Sequence, residues 1–163
     1  MGMTPIEFFE GFVEGNLQDC LDDPGSVRRA FNAAISASHL ADHFYTFNQR
    51  HNPQAVAGLK DNGQLVEHLT KETSGAFRDV RSVANAYKHL YTDSSSKYGA
   101  RSTIDSAGSI TSIETLSATD VVKVEERFGD STLSVVFTRR DGSSLEFLPV
   151  LQCVVDYWLA TIR

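Results

Sequence analysis

Five polar side chains recur at helical spacing late in the first half of the chain: Arg78, Arg81, Asn85, Lys88 and His89. Advanced along a helix, they fall within an arc of about 100°. Phe77, Ala84, Tyr87 and Tyr91 gather elsewhere on the same helix as an apolar seam. Asn85 and His89 stand one turn apart and share a face. The residue types suit acid–base and anion chemistry. An imidazole changes charge near neutral pH. A guanidinium stays charged and grips anions through a planar fork. Such a face either meets solvent, or lines a groove or a partner.

A second group lies upstream in "SHLADHFYTF". His39 and His43 are four apart, the spacing at which two imidazoles on one helix reach a single ion. Asp42, or Glu10 or Glu14 from the first helix, could join His89 to complete such a set. No Glu-x-x-His pair of the di-iron bundles accompanies them, because the Glu67-His68 pair is adjacent and points two ways. "GLKDNG" lacks the strand before it and the Lys-Ser/Thr ending of a phosphate loop. No Gly-x-Ser-x-Gly elbow occurs. No cofactor is expected.

The Asn-x-x-x-His run of Asn85 and His89 resembles the motif of the HEPN domains (higher eukaryotes and prokaryotes nucleotide-binding). Their signature is an Arg, often followed by a polar residue such as Asn, then three to five residues and His on a late helix. The resemblance implies a helical bundle and, in many members, a metal-independent RNase working as a dimer. It implies that His89 moves a proton during attack by the ribose 2′-hydroxyl, with Asn85 orienting it and Arg81 or Arg78 on the phosphate. The chain departs from the pattern where the motif arginine belongs. That position is Ala84, in the apolar seam, and Arg81 lies a turn too early.

A looser resemblance is to small uncharacterised bacterial and phage proteins with a His-Leu-x-Asp helix and a later Asn-x-x-Lys-His helix. His39, Leu40 and Asp42, then Asn85, Lys88 and His89, match both parts. It implies that the two helices face each other. The expected pairs are Lys88 with Asp42, and Asn85 and His89 hydrogen-bonded across the bundle.

The elements that must position these residues are legible. Thr4, Pro5 and Glu7 form a capping box. Ile6, Phe9, Val13 and Leu17 then make one stripe of a helix ending near residues 19–21, with Phe8 and Phe12 beside it. Asp23 and Pro24 are expected to open a long helix over 24–49, rich in alanine. Short helices are expected over 53–60 and 63–72, around the turn Asp61 to Gly63. A further helix starts near Ser74 or Gly75. Residues 93–109 read as a Ser/Gly-rich loop, and 121–128 and 132–138 as strands. Asp141-Gly142 marks a hairpin. Strand becomes helix at Pro149, and Leu151, Val154, Val155, Trp158 and Ile162 form the last stripe.

The expected fold is α+β and predominantly α. It is a four- or five-helix bundle with a small antiparallel sheet inserted before the C-terminal helix, and a single domain over 1–163. Its helical part is 1–92, its loop 93–109, and its β insert and last helix 110–163.

Composition narrows the function. A net charge of −6 and a pI near 5.3 disfavour RNA as a partner. The charge is uneven. Residues 1–23 carry six acids and no base, whereas 75–101 carry five bases against two acids. Cys20 and Cys153 lack metal or redox spacing and suit buried free thiols in a cytoplasmic protein. Cys153 is expected on the apolar side of the last helix. Arg139 and Arg140 are expected on a solvated hairpin edge. No apolar run reaches the ~20 residues of a membrane span. The excess of phenylalanine on the first helix points to a homodimer or another protein partner.

The leading expectation is a cytoplasmic, HEPN-like, non-catalytic accessory or interaction protein from a bacterium or phage. Its polar groove would comprise His39, Asp42, Arg81, Asn85, Lys88 and His89, with Arg78 beside it. Two alternatives stay open: a HEPN-type RNase using His89, Asn85 and Arg81, and a metal-binding bundle through His39 and His43.

Overall fold

A computed structural model of the chain describes residues 2–88, 102–116 and 131–162. His89, Tyr91 and the expected strand over 121–128 lie outside the described residues, as do 93–101 of the expected loop. The helical elements are α1 (Pro5–Phe8), a π-helical segment (Phe9–Val13), α2 (Glu14–Asp22), α3 (Val27–His51), α4 (Asn62–Glu72), α5 (Ala76–Lys88) and α6 (Phe147–Ile162). Strands β1 (Ile110–Leu116), β2 (Ser131–Thr138) and β3 (Ser144–Glu146) form an antiparallel sheet in that spatial order. The fold is therefore α+β, mainly α, with the sheet placed just before the C-terminal helix.

Local chemistry explains the helix starts. Thr4 Oγ1 accepts the Glu7 amide at 3.3 Å, and Glu7 Oε2 accepts the Thr4 amide at 2.7 Å. This is the capping box read from the sequence. These hydrogen bonds hold the Glu7 carboxyl below its usual range. Asp61 caps α4 by accepting the Gln64 amide at 2.9 Å, so "DNG" opens a helix rather than separating two. Before it, only Pro53–Val56 is helical, as a single 3₁₀ turn.

The second helix starts three residues later than expected. Ser26, not Asp23, is its N-cap. The reason is tertiary. The Pro24 carbonyl joins the sheet by accepting the Val135 amide at 2.9 Å. Gly25 presses against β2 so closely that a Cβ there would lie 2.5 Å from Leu133 Cβ.

The sheet is anchored by one face. Val135 and Phe137 on β2 and Ile110 on β1 are buried, and β2 packs on α6. Gly142 takes φ +86°, as the hairpin turn requires. Strand β1 lies just beyond the expected loop, within the expected β insert. Its sequence "ITSIETL" has no clean alternation, and Ile113 is exposed. Helix α6 begins at Phe147, two residues before Pro149. A proline in the first turn is tolerated there, because that N–H has no intrahelical acceptor.

Buried apolar side chains from the helices and the sheet join in one cluster, with Trp158, Phe9, Phe77, Phe137, Phe147 and Leu40 wholly enclosed. Ala30, Ala33, Ala34, Ala37 and Ala41 are all buried on α3. With nothing beyond Cβ, they let α5 approach closely, and α3 against α5 is the main helix pairing. Two expected placements change. Tyr87 is 59% exposed and lies over Phe31 rather than in the seam. Cys153 is exposed, because Leu151, Val154, Val155 and Trp158 take the inner face of α6. Cys20 is buried, and desolvation pushes its thiol up to about 11.

Candidate functional site

The α3–α5 pairing brings together four of the residues singled out by spacing. Lys88 Nζ donates to His39 Nε2 at 2.8 Å. About one turn along α3 and two turns back along α5, Arg81 Nη1 stands 3.9 Å from Asp42 Oδ1. The same Asp42 oxygen accepts a hydrogen bond from Asn62 Nδ2 at the start of α4. Asn85 lies between Arg81 and Lys88 on this face of α5 and is half-buried. It makes no side-chain hydrogen bond to another described residue. Arg78 is exposed and forms no ion pair among the described residues.

The pairing differs in partner from the expected one. Lys88 was expected on Asp42, but it reaches His39, and Arg81 takes Asp42. The cause is reach along antiparallel neighbours: each cation meets the group opposite its own turn. The site is a partly open seam, with Arg81 33% and Asp42 48% exposed at the side chain.

Electrostatics fix the state of His39. Burial lowers its pKa, Lys88 lowers it further, Asp42 opposes and Arg81 adds to the lowering. His39 is thus held neutral, with Nε2 as the acceptor for an ammonium. A neutral imidazole whose lone pair is already taken is poorly placed as a base. The Asp42 carboxylate is likewise satisfied from two sides.

His43 does not converge with His39. Its Nε2–H donates to the Met3 carbonyl at 2.7 Å, and its ring stacks on Phe8 at 5.0 Å. The two imidazoles therefore serve different neighbours. Among the described residues there is no group of three or more His, Cys, Asp or Glu arranged to hold a metal ion.

A second polar cluster was not read from the sequence. Asp79 is 1% exposed, in the buried face of α5. Its Oδ1 accepts from Thr103 Oγ1 at 2.8 Å and from Arg139 Nε at 3.1 Å. Its Oδ2 accepts from Arg139 Nη2. Ser82 Oγ accepts the Thr103 amide at 2.9 Å, and the Arg140 amide donates to the Thr103 carbonyl at 2.8 Å. Arg139 is therefore a clasp between hairpin and helix, not a solvated edge charge. A signal existed. Asp79, Val83 and Ala86 fall on one i, i+4, i+7 row, and an acid in an apolar row must find a partner.

Comparisons of the chain with protein-family models, with curated proteins and with solved structures found no match. Among the described residues, no helix is long and apolar enough to cross a membrane.

Proposed function

We propose that this chain is a non-catalytic, HEPN-like interaction module of the cytoplasm, and that its α3–α5 polar seam fixes the register of the bundle. One observation carries the reading: Lys88 donates to His39 at 2.8 Å. The most polar face of α5 then turns its charges toward the neighbouring helix instead of toward a substrate. Asp42 is matched in the same way by Arg81 and Asn62. A catalytic face needs a base with a free lone pair and a cation free to meet a phosphate. Of the two candidate cations, Arg81 has an internal partner in Asp42, while Arg78 stays exposed. The place of the motif arginine is Ala84, which is buried and can offer no charge. The Asn85 and His89 spacing and the helical architecture support the family likeness, while Ala84 supports loss of its activity.

The test is incubation of the purified protein with a mixed pool of labelled RNAs in excess chelator, beside His89→Ala. The expected result is no cleavage by either protein, at any concentration that keeps both soluble. Cleavage that disappears in His89→Ala makes the protein a nuclease and overturns the proposal. Stoichiometric metal in the purified protein, lost together with thermal stability on chelation, overturns it in favour of a metal bundle.

A further inference from the structure

Helix α1 and its π-helical continuation leave an apolar edge exposed beside α3. Phe9 and Val13 point into the core. One position earlier in each turn, Phe8 is half-buried against the core and Phe12 is exposed, and the two pack on each other with ring centres 5.1 Å apart. Phe8 stacks on His43 at 5.0 Å, His43 on Phe47 at 6.4 Å and Phe47 on His51 at 4.6 Å. A ridge of five rings thus runs from α1 onto α3. Its α1 end is open to solvent, with Phe12 46% and Met3 43% exposed.

Beside the ridge the surface is low. A Cβ added at Gly11 or Gly15 would meet nothing within 4 Å. Glycine inside a helix costs stability relative to alanine, and neither position has a neighbour among the described residues that requires it. Glu7 stands at the rim. Its Oε2 holds the helix cap, and its Oε1 makes no hydrogen bond to a described residue. An open cleft of about 490 Å³, lined by Gly2, Met3, Thr4 and Glu7, lies at the start of α1.

Charge selects the occupant. Residues 1–23 carry six acids and no base, and Glu7, Glu10, Asp19 and Asp22 are exposed. A nucleic acid is repelled by such a surface, and a second copy docking through the same face would set like charges against each other. We propose that this face docks a basic amphipathic helix of a partner protein. Its apolar side chains lie against Phe8, Phe12 and Met3. Its arginines or lysines meet the Glu7 carboxylate and the aromatic faces. The inference rests on the interaction reading above and names the chemistry of the partner.

The probe is a labelled helical peptide of leucine and arginine at amphipathic spacing, with the same peptide bearing glutamate for arginine as its control. Binding is followed by fluorescence anisotropy at low and high salt. The arginine peptide is expected to bind, more weakly as salt rises, and the glutamate peptide not to bind. Phe12→Ala should weaken binding about tenfold or more. Glu7→Gln, which keeps the capping box, should weaken it severalfold. Gly11→Ala should raise the melting temperature while weakening binding, a combination that a merely structural role does not produce. Thermal melts of Phe12→Ala check that it stays folded.

No binding of the arginine peptide, equal binding of both peptides, or binding indifferent to Phe12→Ala overturns the inference. So does preferential binding of RNA, or a dimer in sedimentation that Phe12→Ala dissolves. Absence of peptide binding without RNA cleavage removes this inference alone. Cleavage dependent on His89 removes the reading above, whatever the peptide does.

Discussion

Asp79 and Arg139 are the pair whose removal should hurt the fold most, and the two halves should not be equal. Asp79 is 1% exposed, whereas the Arg139 side chain is 30% exposed. In Arg139→Ala the buried carboxylate keeps only the Thr103 hydroxyl, and breaking a buried pair in this way costs about 3–5 kcal/mol. In Asp79→Ala the stranded guanidinium can turn to water, so the loss is nearer the cost of unmade hydrogen bonds, about 1–3 kcal/mol. For a chain of this size each kcal/mol lowers the melting temperature by roughly 2–4 °C. Arg139→Ala should therefore melt about 6–20 °C below the parent chain. Replacing both partners with apolar residues of similar volume, Asp79→Leu with Arg139→Met, should restore much of the loss. Urea denaturation of the three variants gives all the terms, and the midpoint rather than the slope should change. The contribution of the Arg139 charge should also be flat across ordinary pH. The hydrogen bond to Asp79 raises the Arg139 pKa above its usual value. A raised folded pKa gives a contribution that is complete below the unfolded value and lost only as alkali carries the pH through the folded one. Asp79→Ala costing as much as Arg139→Ala, or both falling within about 0.5 kcal/mol of the parent, refutes the reasoning.

Two further outcomes follow from the seam and from the sheet contact. Because the His39 pKa is lowered in the folded chain, His39 stabilises the fold above its unfolded pKa, and this contribution fades as the pH falls through that value toward the folded one. NMR titration should place the His39 ring below the ordinary histidine value, and Lys88→Met should move it upward and soften the loss of stability in acid; a ring indifferent to Lys88→Met would remove the 2.8 Å contact from the account. Gly25→Ala should cost about 1–3 kcal/mol by overpacking, and Leu133→Ala should not rescue it, because the clashing atom is Leu133 Cβ at 2.5 Å; a thermal melt unchanged by Gly25→Ala would mean that the 23–26 turn yields freely.

The elements that were legible are those whose signal is local. The capping box of Thr4 and Glu7 and the Asp141-Gly142 turn depend on residues within a few positions, and each is found where its chemistry places it. The misplaced start of α3 has a distant cause. Nothing within "DDPGS" reveals that Pro24 will accept the Val135 amide more than a hundred residues away. The same holds for the candidate site. The spacing of Arg81, Asn85 and Lys88 put them on one face, and α3 does lie opposite that face. Which cation meets which acceptor depends on the stagger of two helices, which the spacing along either helix alone does not reveal. Asp79 was missed for the opposite reason. It was counted by charge, when its row on the helix was what mattered.

The contrast between the two polar clusters and the α1 face bears on where this protein meets others. The polar groups of His39, Asp42, Arg81 and Lys88, and again of Asp79 and Arg139, are turned toward groups of the same chain. Each arrangement makes sense for the isolated fold. The α1 face does not. Phe12 and Met3 leave apolar surface in water, and Gly11 and Gly15 weaken a helix with no neighbour to accommodate. Scattered exposed apolar residues need no explanation, but contiguous ones beside an unexplained hollow do. If the cost of those glycines has a return, it lies outside the described residues. Gly11→Ala separates the cases, since a face without a partner gains stability from the methyl group and loses nothing else.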